Sequence, residues 1–433
     1  MAKKLITFLG TNPYIHCKYR YKDNESQAVR YIQEALAEII CKDWKQEDKI
    51  LVFATKGEQG SIKKNWENGE ISRFDKFGQE FEKEPLGLQD RLKKLSLSCQ
   101  IEMIAIPDGT QEGEIWEIIR EINEQIEQSD ELYFDITHSF RFIPMIIPSL
   151  ISFLKTTKDI TLKAIHYGAF EVLGSNQNVV KIPIEKRVAP IRELKELYKM
   201  IEWAEATNAF LQFGSGKDLI NQLDNIEYFP KKVKSYLKPL KRNIQNIDDG
   251  LKYNDISKFK KKDTVKLGKK INLEEAPNLF TLKELSPKIE NYINQWDRED
   301  DIKNGLLAAK WCLNNDRFAQ SLTFAQEALI NYFIKLLNME DKKEYRSLIN
   351  FIVQVSLMKK EKNEFSNSQL EDIYYKNIDI WLDKLKKIDK SILENFIKIS
   401  EWRNIISHAK KADRNEMIDK FPLILDNIFK YIS

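Results

Sequence analysis

The sequence is poor in cysteine, and its few cysteines form no pattern. Its 433 residues include only Cys17, Cys41, Cys99 and Cys312, and no two of them make a C-x-x-C pair. Thiols this sparse are typical of a reducing compartment, and they argue against a disulfide framework and a closed thiolate metal site. We therefore expect no metal ion and a cytoplasmic protein.

Long apolar runs and an excess of one charge are also missing. No stretch approaches the roughly 20 apolar residues that span a bilayer, and the first apolar run ends at Gly10-Thr11-Asn12-Pro13, too early for a signal peptide. Lys and Arg total 69 against 66 for Asp and Glu. The overall charge thus predicts neither a nucleic-acid partner nor a membrane surface, and any such partner must be argued locally.

The first 188 residues alternate short apolar runs with amphipathic stretches, which predicts βα units and a largely parallel sheet. The predicted strands are Leu5 to Leu9, Ile50 to Ala54, Ile101 to Ile106, Leu132 to Ile136 and Leu162 to Tyr167. Apolar spacings of three and four predict one helix from Val29 to Ile39 and another from Ile115 to Ile126. We predict an α/β Rossmann-like domain.

After Ala189-Pro190 the strand pattern ends, and helical periodicity predicts an all-α second half. We divide the chain into a Rossmann-like domain (1–188), a helical linker with a lysine-rich insertion (189–300) and a second helical domain (301–433). The insertion carries Lys258, Lys260, Lys261, Lys262, Lys266, Lys269 and Lys270. Steering of RNA and an ordinary solvated surface both remain open for these lysines.

Small and polar residues follow the predicted strands. Ligands bind open parallel sheets at the carboxyl ends of the strands, where glycine lets the backbone approach and hydroxyl, amide or cationic groups hold phosphate. The candidate ligand-binding residues are Gly10, Thr11, Asn12, Thr55, Lys56, Gly57, Asp135, Thr137, His138, Ser139 and Arg141. Ordinary βα loops have similar compositions, so this alternative stays open.

Two common nucleotide motifs are missing. No G-x-G-x-x-G follows the first strand, and the segment from Phe213 to Asp218 lacks the P-loop spacing, so NAD and ATP chemistry is unsupported. His138 has neither a nucleophile elbow nor an acid partner, which favours ligand contact over catalysis. His166 lies in an apolar run and is predicted to be a hydrogen-bonded core residue.

Near the C terminus, a charged residue interrupts an apolar helix stripe. The stretch from Ile392 to Ala409 is a predicted helix, and Arg403 falls in the middle of its stripe. A guanidinium buried there without a partner would be costly. Asn404 and His408 are four residues apart and share a face beside Arg403, so the three polar groups can converge.

These residue types suffice for RNA cleavage without a metal. Histidine can move a proton for the ribose 2′-hydroxyl or the leaving oxygen, and arginine can stabilise charge developing on the phosphate. The product would be a 2′,3′-cyclic phosphate, and DNA would be inert. One Arg and one His per chain is a small set, which favours pairing across a two-fold axis. The alternative is a structural Arg403 paired with an acid such as Glu401 and a surface histidine at a helix end.

The two halves together resemble the CRISPR-associated CARF-HEPN ribonucleases that accompany type III interference complexes. The most specific segment, Asp135-Ile136-Thr137-His138-Ser139-Phe140-Arg141, is similar to the family's D-I-T-H-G-F-R, with Ser139 in place of glycine. Arg403 to His408 matches the HEPN R-x4-6-H pattern at its shortest spacing. Further similarity lies in Ala189-Pro190-Ile191, Glu202-Trp203-Ala204 and the helix from Gln320 to Leu329.

The resemblance implies a CARF domain that binds a cyclic oligoadenylate activator, with tetra-adenylate expected, and a HEPN domain that cleaves single-stranded RNA. It implies a homodimer or higher oligomer that builds both sites, with no cofactor. Arg403 and His408 would be catalytic and Asn404 supporting. Around the ligand it places Gly10, Thr11, Asn12, Lys56, Thr137, His138 and Ser139. Two alternatives remain: a non-catalytic nucleotide sensor, and a ring nuclease that degrades its own activator.

Overall fold

The protein is described by a computed structural model covering residues 1–70, 85–226, 229–259, 266–297, 299–367, 370–408 and 414–432. The chain forms two compact units, Met1–Lys199 and Met200–Ser433. Among the described helices, none is both long enough and apolar enough to cross a bilayer.

The described part of the first unit is built on an eight-stranded sheet with the order β3-β2-β8-β7-β6-β1-β4-β5. Its strands are β1 Lys3–Leu9, β2 Lys18–Tyr21, β3 Asn24–Glu25, β4 Lys49–Thr55, β5 Gln100–Ile106, β6 Glu131–Asp135, β7 Thr161–Gly168 and β8 Val188–Glu193. The pairs within β7-β6-β1-β4-β5 are all parallel. The five predicted strands are confirmed with nearly the same bounds, as is the α/β class.

The prediction that the strand pattern ends at Ala189-Pro190 was wrong, because these residues lie inside β8. This strand pairs antiparallel with β7 and parallel with β2. Its Pro190 offers no N–H, and the Pro190 carbonyl accepts from the Ala169 amide outside the ladder. Strands β2 and β3 at the edge were not predicted, since their short charged segments lack an apolar run.

Helices and turns of the first unit connect the parallel strands. They are α1 Ile32–Ile39, a π-helix Ile62–Glu67, α2 Leu88–Lys94, α3 Glu112–Glu124, α4 Ile143–Lys158, α5 Asn176–Val179 and the 3-10 turns Phe170–Leu173 and Ile184–Lys186. Both predicted helices are confirmed, the first starting three residues later than Val29. The π-helix is unpredicted.

The chain order of the strands creates a topological switch point between β1 and β6. From β1 the chain adds β4 and β5 on one side, then crosses to add β6 and β7 on the other. Thr7 of β1 lies opposite Asp135 of β6. The segments that begin at Gly10 and Ile136 therefore leave the sheet together, in the crevice where doubly wound sheets bind ligands.

The described part of the second unit is helical and contains no strand, as predicted. Its helices are α6 Lys195–Phe213, which begins in the first unit, α7 Lys217–Asp224, α8 Lys231–Tyr253, α9 Phe280–Asn294, α10 Asp301–Asn314, α11 Phe318–Leu337, α12 Lys343–Ser356, α13 Glu371–Leu385, α14 Lys390–Ser407 and α15 Arg414–Ile432. Short 3-10 turns lie at Ile256–Phe259, Gly268–Lys270, Pro277–Leu279 and Lys362–Glu364.

One continuous hydrophobic core runs through this unit, from Trp203 to Ile428. Within it Phe333 of α11 packs edge-on against Phe396 of α14, with ring centroids 5.2 Å apart. The segment 200–300 contributes to the same core, so the boundary proposed at residue 300 stays a prediction. Lys260, Lys261 and Lys262 lie outside the described residues, and the flanking Phe259 and Leu267 are buried.

A buried ion pair anchors the start of β1. Lys4 Nζ lies 2.7 Å from Asp130 Oδ2, and both side chains are almost fully buried. The same carboxylate accepts from the backbone amides of Ala2 and Glu127. Removing one partner of a buried pair leaves the other charge uncompensated, which costs about 3–5 kcal/mol.

We expect Asp130→Ala to lower the unfolding free energy of the first unit by about 3 kcal/mol, because it leaves the buried Lys4 ammonium without its carboxylate partner. Hydrogen exchange of the β1 and β6 amides measures the loss. Glu131→Ala is the control, since it removes the half-exposed pair with Lys163 and should cost less than about 1 kcal/mol. Equal losses of protection in the two variants would contradict this reading of the pair.

Candidate functional site

The crevice between β1 and β6 is organised around the buried carboxylate of Asp135. Its Oδ2 accepts from the Thr7 hydroxyl at 2.6 Å, and its Oδ1 accepts from the Thr137 amide at 3.0 Å and the Thr137 hydroxyl at 2.5 Å. The Thr137 hydroxyl in turn accepts from the Gly168 amide at 2.8 Å. Burial raises the pKa of Asp135, and these hydrogen bonds from Thr137 and Thr7 offset part of the effect.

This network fixes the ends of three strands at once, because Thr7 lies in β1, Asp135 in β6 and Gly168 in β7. The Thr137 hydroxyl donates its one proton to Asp135 and accepts one hydrogen bond from Gly168 within it. Asp135 and Thr137 therefore position the crevice, and the remaining candidates are the groups that can reach a ligand. Gln33 of α1 joins the network by donating to the Thr7 hydroxyl at 3.1 Å and to the Phe8 carbonyl at 3.0 Å.

His138 and Tyr14 lie together beside Gly10. Their ring centroids are 4.4 Å apart, and a Cβ added to Gly10 would lie 2.7 Å from the Tyr14 hydroxyl oxygen. Only glycine fits there without displacing Tyr14. His138 is half-buried, yet its Nε2 is shielded from solvent and has no hydrogen-bond partner among the described residues. Burial lowers the pKa of His138 to about 4, so it is a neutral ligand-facing candidate at neutral pH.

The loop after β1 is held by hydrogen bonds from Asn65, a residue of the π-helix that was not among the predicted site residues. Its Nδ2 donates to the carbonyls of Gly10 at 2.9 Å and Asn12 at 3.0 Å. No periodicity marks Asn65 in the sequence, and the relevant signal is a contact between segments more than fifty residues apart. Tyr14 and Gln33 were also missed, because the ring contact of Tyr14 with His138 and the hydrogen bonds of Gln33 to Thr7 and Phe8 leave no periodic pattern in the sequence.

The candidate ligand-binding residues in the turn after β4 differ in their exposure to solvent. Thr55 is buried and exchanges hydrogen bonds with Ser61, each backbone amide donating 2.8 Å to the other's hydroxyl. Lys56 and Gly57 are exposed, and Gly57 has a φ of 95° that favours glycine. Lys56 Nζ lies 3.9 Å from a Glu117 carboxylate oxygen, a loose surface pair.

The turn after β6 is closed by Ser139, the residue that replaces the family's glycine. Its hydroxyl donates to the Ile136 carbonyl at 2.9 Å. Arg141 is exposed at the rim of the turn. His166, predicted to be a hydrogen-bonded core residue, is 1% exposed and packs edge-on against Tyr21, and its Nδ1 has no hydrogen-bond partner among the described residues.

In the second unit, the predicted apolar stripe of α14 (Ile392, Phe396, Ile399 and Ile406) is buried at its first three members, whereas Ile406 is half-buried, and Arg403 interrupts the stripe. Ile392, Phe396 and Ile399 are fully buried, whereas Arg403 is half-buried. The Arg403 Nε is shielded from solvent and has no hydrogen-bond acceptor among the described residues. The alternative pairing with Glu401 is not formed: that side chain is exposed, and no ion pair joins it to Arg403 in the described part of the chain.

Asn404 and His408 are exposed on a neighbouring face of α14. The helix ends at Ser407, and His408 is its C-cap, with its backbone amide donating to the Asn404 carbonyl at 3.1 Å. The predicted helix was therefore too long at its end, and Ala409 lies outside the described residues. Arg403 and His408 are five residues apart, which corresponds to about 7.5 Å of axial rise, so the three polar side chains occupy less than one and a half turns.

An open groove of about 610 Å³ adjoins this turn. Two apolar residues between Arg403 and His408, Ile405 and Ile406, line this groove together with Phe318 from the start of α11 and Met417 from α15. Arg317 and Arg414 also line it, next to Gln320 and Ile418. The groove thus combines apolar side chains with two guanidinium groups and the carboxylate of Asp316. Among the described residues no cluster of His, Cys, Asp and Glu has the composition of a metal site.

The low pKa of the buried histidines makes the stability of the first unit depend on pH. His138 and His166 each have a folded-state pKa of about 4. An unfolded chain protonates them below about pH 6.5, whereas the folded chain does not, so unfolding takes up protons. The unfolding free energy therefore falls as the pH drops from 6.5 to 4, with a limiting slope of about 1.4 kcal/mol per pH unit per histidine.

We expect His138→Gln to reduce this slope, because glutamine has no proton to take up. Denaturant unfolding at pH 6.5 and 4.5, followed in the first unit, measures the change. His408→Gln, an exposed histidine in the second unit, is the matched control and should leave the slope intact. An unchanged slope in His138→Gln would show that the imidazole is protonated in the folded protein.

Comparisons with known proteins agree with this architecture. Residues 4–171 match the family described as CRISPR system endoribonuclease Csx1, CARF domain, and residues 199–300 match the family described as CRISPR-associated protein MJ1674, second domain. Neither of these ranges contains Arg403 to His408.

A relative matches over a longer stretch. CRISPR-associated protein MJ1674 of Methanocaldococcus jannaschii is 23% identical over 330 residues, an alignment that covers 74% of this chain and 48% of that protein. The chain thus spans about half the length of the curated relative it matches. These matches identify residues 4–171 as a CARF domain like that of the Csx1 CRISPR endoribonucleases, in a chain that is similar to CRISPR-associated protein MJ1674.

Proposed function

We propose that this protein is a metal-independent endoribonuclease of type III CRISPR antiviral defence that is activated by a cyclic oligoadenylate bound to its CARF domain. The observation that carries the catalytic half is Arg403, whose buried Nε has no acceptor in the described chain. A buried donor without a partner costs about 1–3 kcal/mol. A phosphate oxygen of bound RNA supplies the missing acceptor in this proposal.

In the proposed reaction, the substrate attacks itself. A histidine accepts the proton of the ribose 2′-hydroxyl, the 2′-oxygen bonds to the adjacent phosphorus, and the 5′-oxygen leaves with a proton from a second histidine. Arg403 stabilises the charge on the phosphate, and Asn404 supports it. Each chain supplies one His408, so the proposal requires a homodimer that brings two copies of the motif together.

The exposed position of Asn404 and His408 supports this arrangement, since a composite site needs its groups at the surface. The groove beside Ile405 and Ile406 supports single-stranded RNA as the substrate. Unpaired bases can leave the backbone and pack on apolar or aromatic side chains, while guanidinium groups hold the phosphates. Phe318 and Arg414 provide these two elements in the groove.

The ligand half of the proposal rests on the switch point. Gly10, Thr11 and Asn12 form the loop after β1, and His138 faces it with a neutral, unpartnered Nε2. The other proposed contacts surround this centre: Thr55, Lys56 and Gly57 after β4, and Ser139 and Arg141 after β6. A cyclic oligoadenylate, expected to be the tetra-adenylate, offers phosphates to the cations and the backbone amides.

We expect Arg403→Ala and His408→Ala each to slow activated RNA cleavage by at least about 100-fold, the usual contribution of a general acid or base for His408 and of a charge-stabilising donor for Arg403. The assay measures single-stranded RNA turnover in EDTA with saturating cyclic tetra-adenylate and identifies 2′,3′-cyclic phosphate ends. Glu401→Ala, exposed on the same helix, is the control and should keep the full rate.

Three outcomes would contradict the proposal: a requirement for a divalent metal, cleavage of an all-deoxy substrate, or activity in the double variant Arg403→Ala, His408→Ala. Binding of cyclic oligoadenylates without RNA turnover would favour the non-catalytic sensor. Conversion of excess cyclic ligand to a linear product by His408→Ala protein would favour the ring nuclease.

A further inference from the structure

The buried side-chain amide of Asn65 holds the loop after β1 by hydrogen bonds. Asn65 is 0% exposed, and both hydrogen bonds of its Nδ2 go to that loop, to the Gly10 carbonyl at 2.9 Å and the Asn12 carbonyl at 3.0 Å. Its Oδ1 accepts from the Tyr31 hydroxyl at 3.3 Å. The amide orientation is therefore fixed on both sides, by the loop carbonyls and by Tyr31 at the start of α1.

The segment that carries Asn65 is also locked to the end of β4. Ser61 immediately precedes the π-helix and exchanges two hydrogen bonds with Thr55. A Cβ on Gly60 would lie 2.3 Å from the carbonyl oxygens of both Thr55 and Lys56, so the backbones are in close contact. The loop after β1 and the turn after β4 are thus tied to the same short segment. A π-helical turn is rare, and such turns occur frequently at functional sites.

Asn65 binds two carbonyls of the loop after β1, and the polar backbone groups that remain in this loop include amides. With Gly10 and Asn12 accepting from Asn65, the backbone amides of Thr11 and Asn12 form no hydrogen bond with any described residue. Successive free N–H groups in a loop attract anions, because their dipoles add. The loop therefore carries two backbone donors without partners among the described residues, next to Gly10, which lies beside His138.

We propose that Asn65 is a positioning residue of the nucleotide site: it holds the Gly10 to Asn12 loop by its carbonyls so that the Thr11 and Asn12 amides bind a phosphate of the ligand. This inference rests on the proposed function, because the ligand class is the cyclic oligoadenylate. Asn65 itself does not touch the ligand. Its contribution is to fix the loop before binding, which reduces the entropy lost on ordering the site.

The variant that tests this role is Asn65→Asp, which preserves the shape of the side chain. A carboxylate cannot donate, and it repels the two carbonyl oxygens that Asn65 now binds. We expect cyclic tetra-adenylate to bind at least tenfold more weakly in calorimetry. The activator concentration for half-maximal RNA cleavage should rise by a similar factor, while the rate at saturating activator recovers.

The matched control is Asn68→Asp, the same chemical change at an exposed position just after the π-helix. Among the described residues its Nδ2 donates to the Lys63 carbonyl and to no other group, so affinity should stay within twofold of the wild type. Tyr31→Phe is a milder second variant, which keeps the ring and removes the hydroxyl that orients Asn65. It should weaken binding in the same direction by a smaller factor, and it decides the question if Asn65→Asp does not fold.

Two results would overturn the inference. One is unchanged affinity in folded Asn65→Asp or, where only Tyr31→Phe folds, in that variant. The other is a loss of maximal rate without a shift in activator affinity. Failure of the proposed function is distinguishable, because then the wild-type protein itself binds no cyclic oligoadenylate. If the wild type binds without cleaving RNA, calorimetry alone still tests the role of Asn65.

Discussion

The switch point depends on a buried carboxylate that is satisfied without a cation. Asp135 is held by the Thr7 and Thr137 hydroxyls and the Thr137 amide. Burying such a group unpaired would be expensive, so these three donors are what allow it to lie between β1 and β6. Because the network also reaches Gly168 of β7, it sets the relative positions of the loops from which the proposed ligand contacts project.

This arrangement separates the structural charge from the charges available to a ligand. No ion pair engages Asp135 in the described chain, and the cations near the crevice, Lys56 and Arg141, are exposed. His138 adds hydrogen-bonding capacity without charge, since burial holds its pKa at about 4. A polyanionic ligand would therefore meet charge at the rim and neutral donors and acceptors inside, where desolvation of a charged side chain would be most costly.

The sequence predicted the parts of the fold that are determined by burial on a regular spacing. Strands β1 and β4 are buried on both faces and read as apolar runs, interrupted in β1 by Thr7, and α14 shows its buried stripe at helical spacing. Strand β8 was not predicted because a proline and charged residues interrupt its short apolar run. Asn65 was not predicted because its role comes from hydrogen bonds to carbonyls that are far away in the sequence. The strand-end candidates follow from the rule for parallel sheets, but which of them are structural, as Thr137 is, depends on hydrogen bonds that a sequence does not show.

The two candidate sites differ in how completely their polar groups are satisfied. At the switch point Asp135, Thr137 and Asn65 have their partners within the chain, so that region can be rigid before any ligand arrives. On α14 the Arg403 Nε lacks one, although an apolar side chain would complete the stripe of Ile392, Phe396 and Ile399 without that cost. The described part of the chain therefore offers this Nε no acceptor. In the proposed function a phosphate oxygen of RNA is that acceptor, because the guanidinium matches the geometry of a phosphate.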